Sequence, residues 1–223
     1  AHPFFPKRWE NPDVDGITGL EIYSAKQDVA EENRFSLAAG TFLLGPDVVF
    51  PIWLDRPEES LALWDRLLAR GARVVGIGGA DAHGLRRLGL TLGPYATMFK
   101  MVRNHLLIQG ELSERSLFEA LEQGRLFVSH GVVAQGRGFS FLAVDDGAVV
   151  GLMGEEIPFR NGLKLYAYLP SPGQIRFLQD GVEVLRTHGQ EGVLELAGPG
   201  VYRVEGTRRG KPWIYSNPIY VLK

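Results

Sequence analysis

The chain has no cysteine. That absence removes disulfide frameworks, thiolate nucleophiles, Cys-ligated zinc and iron–sulfur clusters together, so any metal bound here takes His and carboxylate ligands. A dominant charge is missing too: 24 Lys and Arg stand against 26 Asp and Glu, a formal net charge of −2. Without a basic run there is no concentrated positive charge of the kind phosphate-backbone binding rests on, and a nucleic-acid partner is not expected. No stretch approaches the roughly 20 uninterrupted apolar residues of a membrane span. The first residues also lack a basic segment followed by an apolar run, so a cytoplasmic location is the expectation. There is no Gly-x-Ser-x-Gly elbow, phosphate loop or dinucleotide fingerprint. Gly76-Ile77-Gly78-Gly79 has neither the spacing nor the following helix.

What is present is an ordinary globular composition. With 45% apolar and 22% charged residues, 223 residues suffice for one or two domains with a sizeable core. The character changes near residue 125: residues 1–124 carry 13 basic and 17 acidic side chains with 13 Gly, and residues 125–223 carry 11 basic and 9 acidic with 15 Gly. The denser glycine of the second part predicts more turns.

In the first part, Asp55 is a candidate cap for a helix over residues 56–70. Glu58 and Glu59 lie in its first turn, Leu61, Trp64, Leu67 and Leu68 share one face, and Gly71 is its stop. A β-branched run, Ala72-Arg73-Val74-Val75-Gly76-Ile77, then leads into the small, polar segment Gly78-Gly79-Ala80-Asp81-Ala82-His83-Gly84. Residues 14–24 read as another strand, residues 28–39 as helix, and residues 113–123 as a helix with Leu117, Phe118 and Leu121 inward. Strands alternating with helices predict an α/β layer or barrel with parallel strands. The second part predicts strands over residues 125–129, 139–144, 163–168, 173–179, 182–187, 192–196, 201–205 and 218–222. Asp180-Gly181 is a tight hairpin turn, and the set reads as a β-sandwich.

Asp81 and His83 are the first candidate site. Separated by two residues, they project to one side if strand geometry persists, just past a strand's C-terminal end where α/β folds place their sites. Carboxylate oxygen and imidazole nitrogen suit Zn²⁺, Mn²⁺ or Fe²⁺. By spacing alone an equal reading is that Asp81 caps the following turn and His83 is a polar loop residue. His2, next to Pro3, reads in isolation as a solvated side chain. Glu21 lies between Leu20 and Ile22, so its side chain points away from theirs. His105 reads as structural, His130 as an interdomain hydrogen bond, His188 as exposed. The four Trp are scattered and read as packing, and Arg208-Arg209-Gly210-Lys211 as a solvated hairpin tip.

Taken in order, Ala1-His2-Pro3, Gly19-Leu20-Glu21-Ile22-Tyr23-Ser24 and Gly78-Gly79-Ala80-Asp81-Ala82-His83 give the chain a resemblance to the PHP (polymerase and histidinol phosphatase) domain family. More narrowly, it resembles the bacterial metal-dependent phosphoesterases of that family. Asp55-Arg56-Pro57, Asn104-His105-Leu106-Leu107, Gly138-Phe139-Ser140-Phe141 and Pro212-Trp213-Ile214-Tyr215-Ser216-Asn217-Pro218 extend the resemblance over nearly the whole chain.

The resemblance implies an α/β plus all-β protein. Residues 1–124 would form the later part of a distorted (β/α)7 barrel, followed by a β-sandwich over residues 125–223. It implies His2, Asp81 and His83 as metal ligands, two or three Zn, Mn or Fe ions in the complete site, and a small-molecule or nucleotide phosphoester as substrate. Glu21 falls in a family segment but is not counted as a ligand.

The family's opening His-x-His motif and its middle-barrel Glu and His ligands have no counterpart in this sequence. Since a catalytic metal usually takes three protein ligands, an N-terminal half supplied by the parent protein is expected. An alternative of a different class is a non-catalytic binding or scaffolding protein whose β-sandwich recognises a carbohydrate or protein partner. An amidohydrolase-like enzyme lacks the ligands. Nothing in the composition selects between a β-domain that restricts the barrel mouth and one that forms an oligomer.

Overall fold

The computed structural model describes residues 3–4, 9, 16–25, 40, 42–82, 85–87, 90–92 and 94–223. Strands hold 45% of the chain, so sheet pairing rather than helix packing carries the architecture. In the first part, β1 (Gly19–Ser24) and β2 (Val75–Gly79) pair in parallel. Between them run α1 (Pro46–Trp53) and α2 (Glu58–Ala69). After β2 come the short hairpin β3 (Leu85–Arg87) and β4 (Leu90–Leu92), then α3 (Tyr95–Met101). The expected helix over residues 28–39 lies outside the described residues.

The helix expected over residues 56–70 is α2, and its inward face is the expected one: Leu61, Trp64, Leu67 and Leu68 are all buried. The start differs. Pro57 occupies the cap position and no side chain caps it, while Asp55 stays largely exposed near Lys211. Pro57 needs no N–H partner, so the first turn loses little by having no Asp cap. Gly71, at φ 85°, ends the helix in the left-handed region as glycine allows.

The chain continues with β5 (Arg103–Leu106), α4 (Glu114–Glu122) and β6 (Leu126–Ser129). It continues through β7 (Ser140–Asp145), β8 (Ala148–Leu152) and β9 (Glu156–Pro158). The last strands are β10 (Lys164–Gln179), β11 (Val182–Glu195), β12 (Gly200–Arg208), β13 (Lys211–Ser216) and β14 (Ile219–Leu222).

All ten of these strands hydrogen-bond into one sheet, ordered β5-β6-β13-β12-β10-β7-β8, with β11 beside β10, β14 beside β12 and β9 beside β14. The sheet curls into a half-barrel. Because β5 belongs to it, the sheet begins before residue 124. No helix among the described residues is long and apolar enough to cross a membrane.

Two pairs of expected strands are single long ones. The expected strands at 163–168 and 173–179 are continuous as β10, and those at 182–187 and 192–196 as β11. A register shift between Tyr168 and Gly173 takes up Pro170 and Pro172, which have no N–H to give to a ladder. Asp180 (φ 51°) and Gly181 (φ 81°) make the expected turn, both at positive φ. The same dipeptide at Asp146-Gly147 (φ 46° and 81°) joins β7 to β8, a strand the sequence reading missed although its turn signal was present.

Helix α4 has the Ser113 cap, whose side chain and backbone exchange hydrogen bonds with Ser116. Its face is a correction: Leu117 is 37% and Phe118 52% exposed, and of its residues only Ala120 is buried. The helix lies against β5 at the end of the sheet path, where little sheet surface is available to cover it.

Two apolar cores result. One surrounds Trp64 and joins β1, α1, α2 and α3 to Val128 and Tyr215 of the large sheet; the other surrounds Trp213, Phe141 and Phe177 inside the sheet's curl. The basic hairpin tip is also not simply solvated. Lys211 Nζ donates to Ile52 O at 2.6 Å and Leu54 O at 3.1 Å, closing the carbonyl end of α1.

Candidate functional site

Strand β2 reads Val-Gly-Ile-Gly-Gly, and its glycines are demanded by what packs on them. A Cβ at Gly76 would sit 2.6 Å from the Trp64 ring, and one at Gly78 would overlap Val102. Trp64 in turn donates its indole N–H to Val74 O at 2.7 Å, which ties α2 to the entrance of the strand. One edge of β2 is paired with β1. Two side-chain amides serve backbone groups of β2.

Asn217, between β13 and β14, accepts the Gly76 N–H at 2.8 Å and donates to Gly76 O at 2.9 Å and to Leu126 O at 3.0 Å. Asn104 of β5 makes the same pair of bonds with Gly78, both at 2.8 Å. Each amide thus mimics a strand residue. Leu126 stands beside Gly76 and Val128 beside Gly78, so β6 runs in the same direction as β2. The carboxyl ends of β1, β2 and β6 therefore lie together. Asn217→Ala leaves the buried Gly76 N–H and C=O without partners, for an expected loss of about 2 kcal/mol of stability by urea denaturation. Asn104, in a more exposed setting, costs less when changed to Ala.

At this common end, β1 contributes Glu21. A Cβ at Gly79 would overlap Glu21 Oε1, so the absent side chain is the cradle that admits the carboxylate, and Oε1 is shielded from solvent. Asp81 follows two residues past β2 at φ 40°, a left-handed backbone that Asp tolerates better than most residues. A positive φ on a non-glycine residue at a strand exit is a local strain of the kind found at functional sites.

Immediately after β6 comes His130, fully buried. Its Nδ1 donates to Met101 O at 2.8 Å, since a carbonyl can only accept, which leaves the bare lone pair on Nε2. Among the described residues that lone pair has no hydrogen-bond partner. The ring meets Tyr23 edge-on at 4.3 Å and Tyr215 at 5.8 Å. Burial pushes the imidazole down to about 4, against the smaller upward pull of the Met101 bond, so the ring is neutral at pH 7.

His105 is structural, as expected. Its Nε2 bonds Ser129 Oγ at 2.8 Å and its ring stacks on Phe127, and burial lowers its pKa. His188 is exposed and contacts Gln174.

Of the residues expected to hold a metal, Asp81 lies two residues past β2, and His2 and His83 lie outside the described residues. Among the described residues no three His, Asp or Glu gather closely enough to hold a metal ion. Carboxylates such as those of Glu21 and Asp81 are hard oxygen donors of the kind a divalent cation takes.

A charged network that sequence reading did not find ties α2 to the large sheet. Arg203, buried, grips Asp65 of α2 with two 2.6 Å bonds and Glu205 with one of 2.7 Å. Glu205 also accepts from Arg56 at 2.8 and 2.9 Å and from Arg176 at 3.0 Å, which fills both oxygens. Burial by itself would raise the Glu205 carboxyl, but the hydrogen bonds and charge of Arg56 and Arg203 outweigh it and hold it down to about 2.

Arg176 continues to Glu183, which also accepts two bonds from Arg186. A groove of about 420 Å³ runs over this network between α2 and the turn of the β10–β11 hairpin. The residues are far apart in sequence, so no local motif announces them.

No family model, curated protein or solved structure matches the chain.

Proposed function

We propose that the chain belongs to a metal-dependent phosphoester hydrolase of the PHP type and supplies one side of its metal site. The observation that carries the reading is the position of Asp81, two residues past the carboxyl end of β2 in a left-handed backbone, with Glu21 seated against Gly79 on the neighbouring parallel strand. In α/β proteins ligands bind outside the carboxyl ends of the parallel strands.

A divalent metal bound there lowers the pKa of its water and stabilises the charge that develops on a phosphoryl oxygen. Asp81 would hold the cation through its carboxylate. His2 and His83 complete the ligand set by the resemblance. Zn, Mn and Fe fit a mixed carboxylate and imidazole donor set. Asn104 and Asn217 hold β2 in register, and the neutral ring of His130 makes a rigid, uncharged wall against Tyr23.

The test is metal content and hydrolysis of p-nitrophenyl phosphate by the protein loaded with Mn²⁺ or Zn²⁺. Asp81→Asn is the informative variant, since Asn tolerates the left-handed backbone and removes only the charge. Metal affinity and hydrolysis are expected to fall by roughly 100-fold. Wild-type protein that retains no metal, or an Asp81→Asn variant with full activity, would sink the reading.

A further inference from the structure

We infer that β11 is a dimerisation edge, pairing antiparallel with β11 of a second copy of this chain about a two-fold axis between His188 and Gly189. Strand β11 spans 14 residues and pairs with β10 alone; no other described strand takes its outer edge. Proteins blunt such edges with Lys, Pro or short length, because a row of unpaired N–H and C=O groups is a template for another strand. β11 is long and contains neither Lys nor Pro; its four charges, Glu183, Arg186, Glu191 and Glu195, are of both signs, and a bulge falls at Val184.

The side chains identify the partner. Val182, Val184, Arg186 and His188 are exposed, then the alternation changes phase at Gly189-Gln190, and Glu191, Val193 and Glu195 are exposed on the following turns of the pleat. In a regular strand the odd spacing from Arg186 to Glu191 would put them on opposite faces. The phase change puts them on the same one.

A two-fold between His188 and Gly189 then sets Arg186 opposite the partner's Glu191 and Val184 opposite the partner's Val193, while Leu185 faces the partner's Gly192 on the inner side. Val184 and Val193 are each 43% exposed in the single chain. Arg186 spends two of its five N–H donors on Glu183, which leaves three for a second carboxylate. Apolar meets apolar and positive meets negative, each twice by symmetry. The occupant that satisfies this pattern is the same sequence run in the opposite direction, a case of strand addition.

Sedimentation of the full chain over a concentration series tests the pairing. The wild type is expected to form a dimer that weakens with salt. Arg186→Glu and Glu191→Arg each set like charges opposite one another at two places, and each is expected to raise the dimer dissociation constant roughly tenfold. The double variant Arg186→Glu/Glu191→Arg restores opposite charges across the axis and is expected to recover the wild-type constant within about threefold. It does not restore the Arg186–Glu183 contact within one chain, so recovery separates the interface from a folding effect. A wild type that stays monomeric to about 100 μM, or a double variant no better than the singles, would overturn the proposal.

Discussion

Glu205→Gln is expected to cost about 3–5 kcal/mol of folding stability, the usual penalty for removing one partner from a buried ion network. Glutamine has the shape of glutamate but not its charge. Arg203 would then stay buried with Asp65 alone, and Arg56 and Arg176 would lose the carboxylate on which they converge. Against the 5–15 kcal/mol typical of a folded domain, this is a large share.

The network also attaches α2, and through Trp64 the base of β2, to the large sheet. Urea denaturation followed by far-UV circular dichroism measures the loss. Pairing the change with Arg56→Gln in a double-mutant cycle isolates the coupling between the two. A loss below about 1 kcal/mol, the range of solvent-exposed ion pairs, would show that the network is screened and that α2 is held by apolar packing.

Acid is expected to destabilise the protein in two separate steps. The first comes from His130, whose folded pKa of about 4 lies below its ordinary 6.5. Between those values the unfolded chain takes up a proton that the folded one refuses. Stability is therefore complete above pH 6.5 and falls as pH drops toward 4, by about 3 kcal/mol from this group. His105, also lowered by burial, adds to the same limb.

The second step comes from Glu205, which is ionised in the fold down to about 2 and ordinarily protonates near 4.5, so its contribution of about 3 kcal/mol is lost between those two values. Urea midpoints measured from pH 8 to pH 3 test the assignment. His130→Phe retains the ring contacts with Tyr23 and Tyr215 but cannot titrate, and it should flatten most of the limb between pH 6.5 and 4. An unchanged limb in His130→Phe would mean that His130 opens to water before it protonates.

Local signals were legible where the physics is local. The 3.6-residue spacing of Leu61, Trp64 and Leu68 located α2, Asp180-Gly181 located the long hairpin, and Gly71 located a helix stop, each because a few neighbouring residues determine the backbone there. Asp81 was legible as a candidate by the same kind of reasoning, from small residues and a carboxylate at a strand exit. Glu21 was noticed for its position between two apolar residues. That Gly79 is the space its carboxylate occupies could not be read, because the two are far apart in the chain.

The sequence by itself determined that this chain carries no thiol, where α2 ends and the β10–β11 hairpin turns, and which residues are buried on α2. Only the tertiary structure decided that Asn104 and Asn217 continue β2 with their amides, that Glu205 collects three arginines, and that His130 is shut away from water. Turns and helix faces follow from residues a few positions apart. The amide bridges and the Arg56–Glu205 and Arg203–Asp65 pairs join groups from 26 to 149 positions apart in the chain, brought together only in the folded structure.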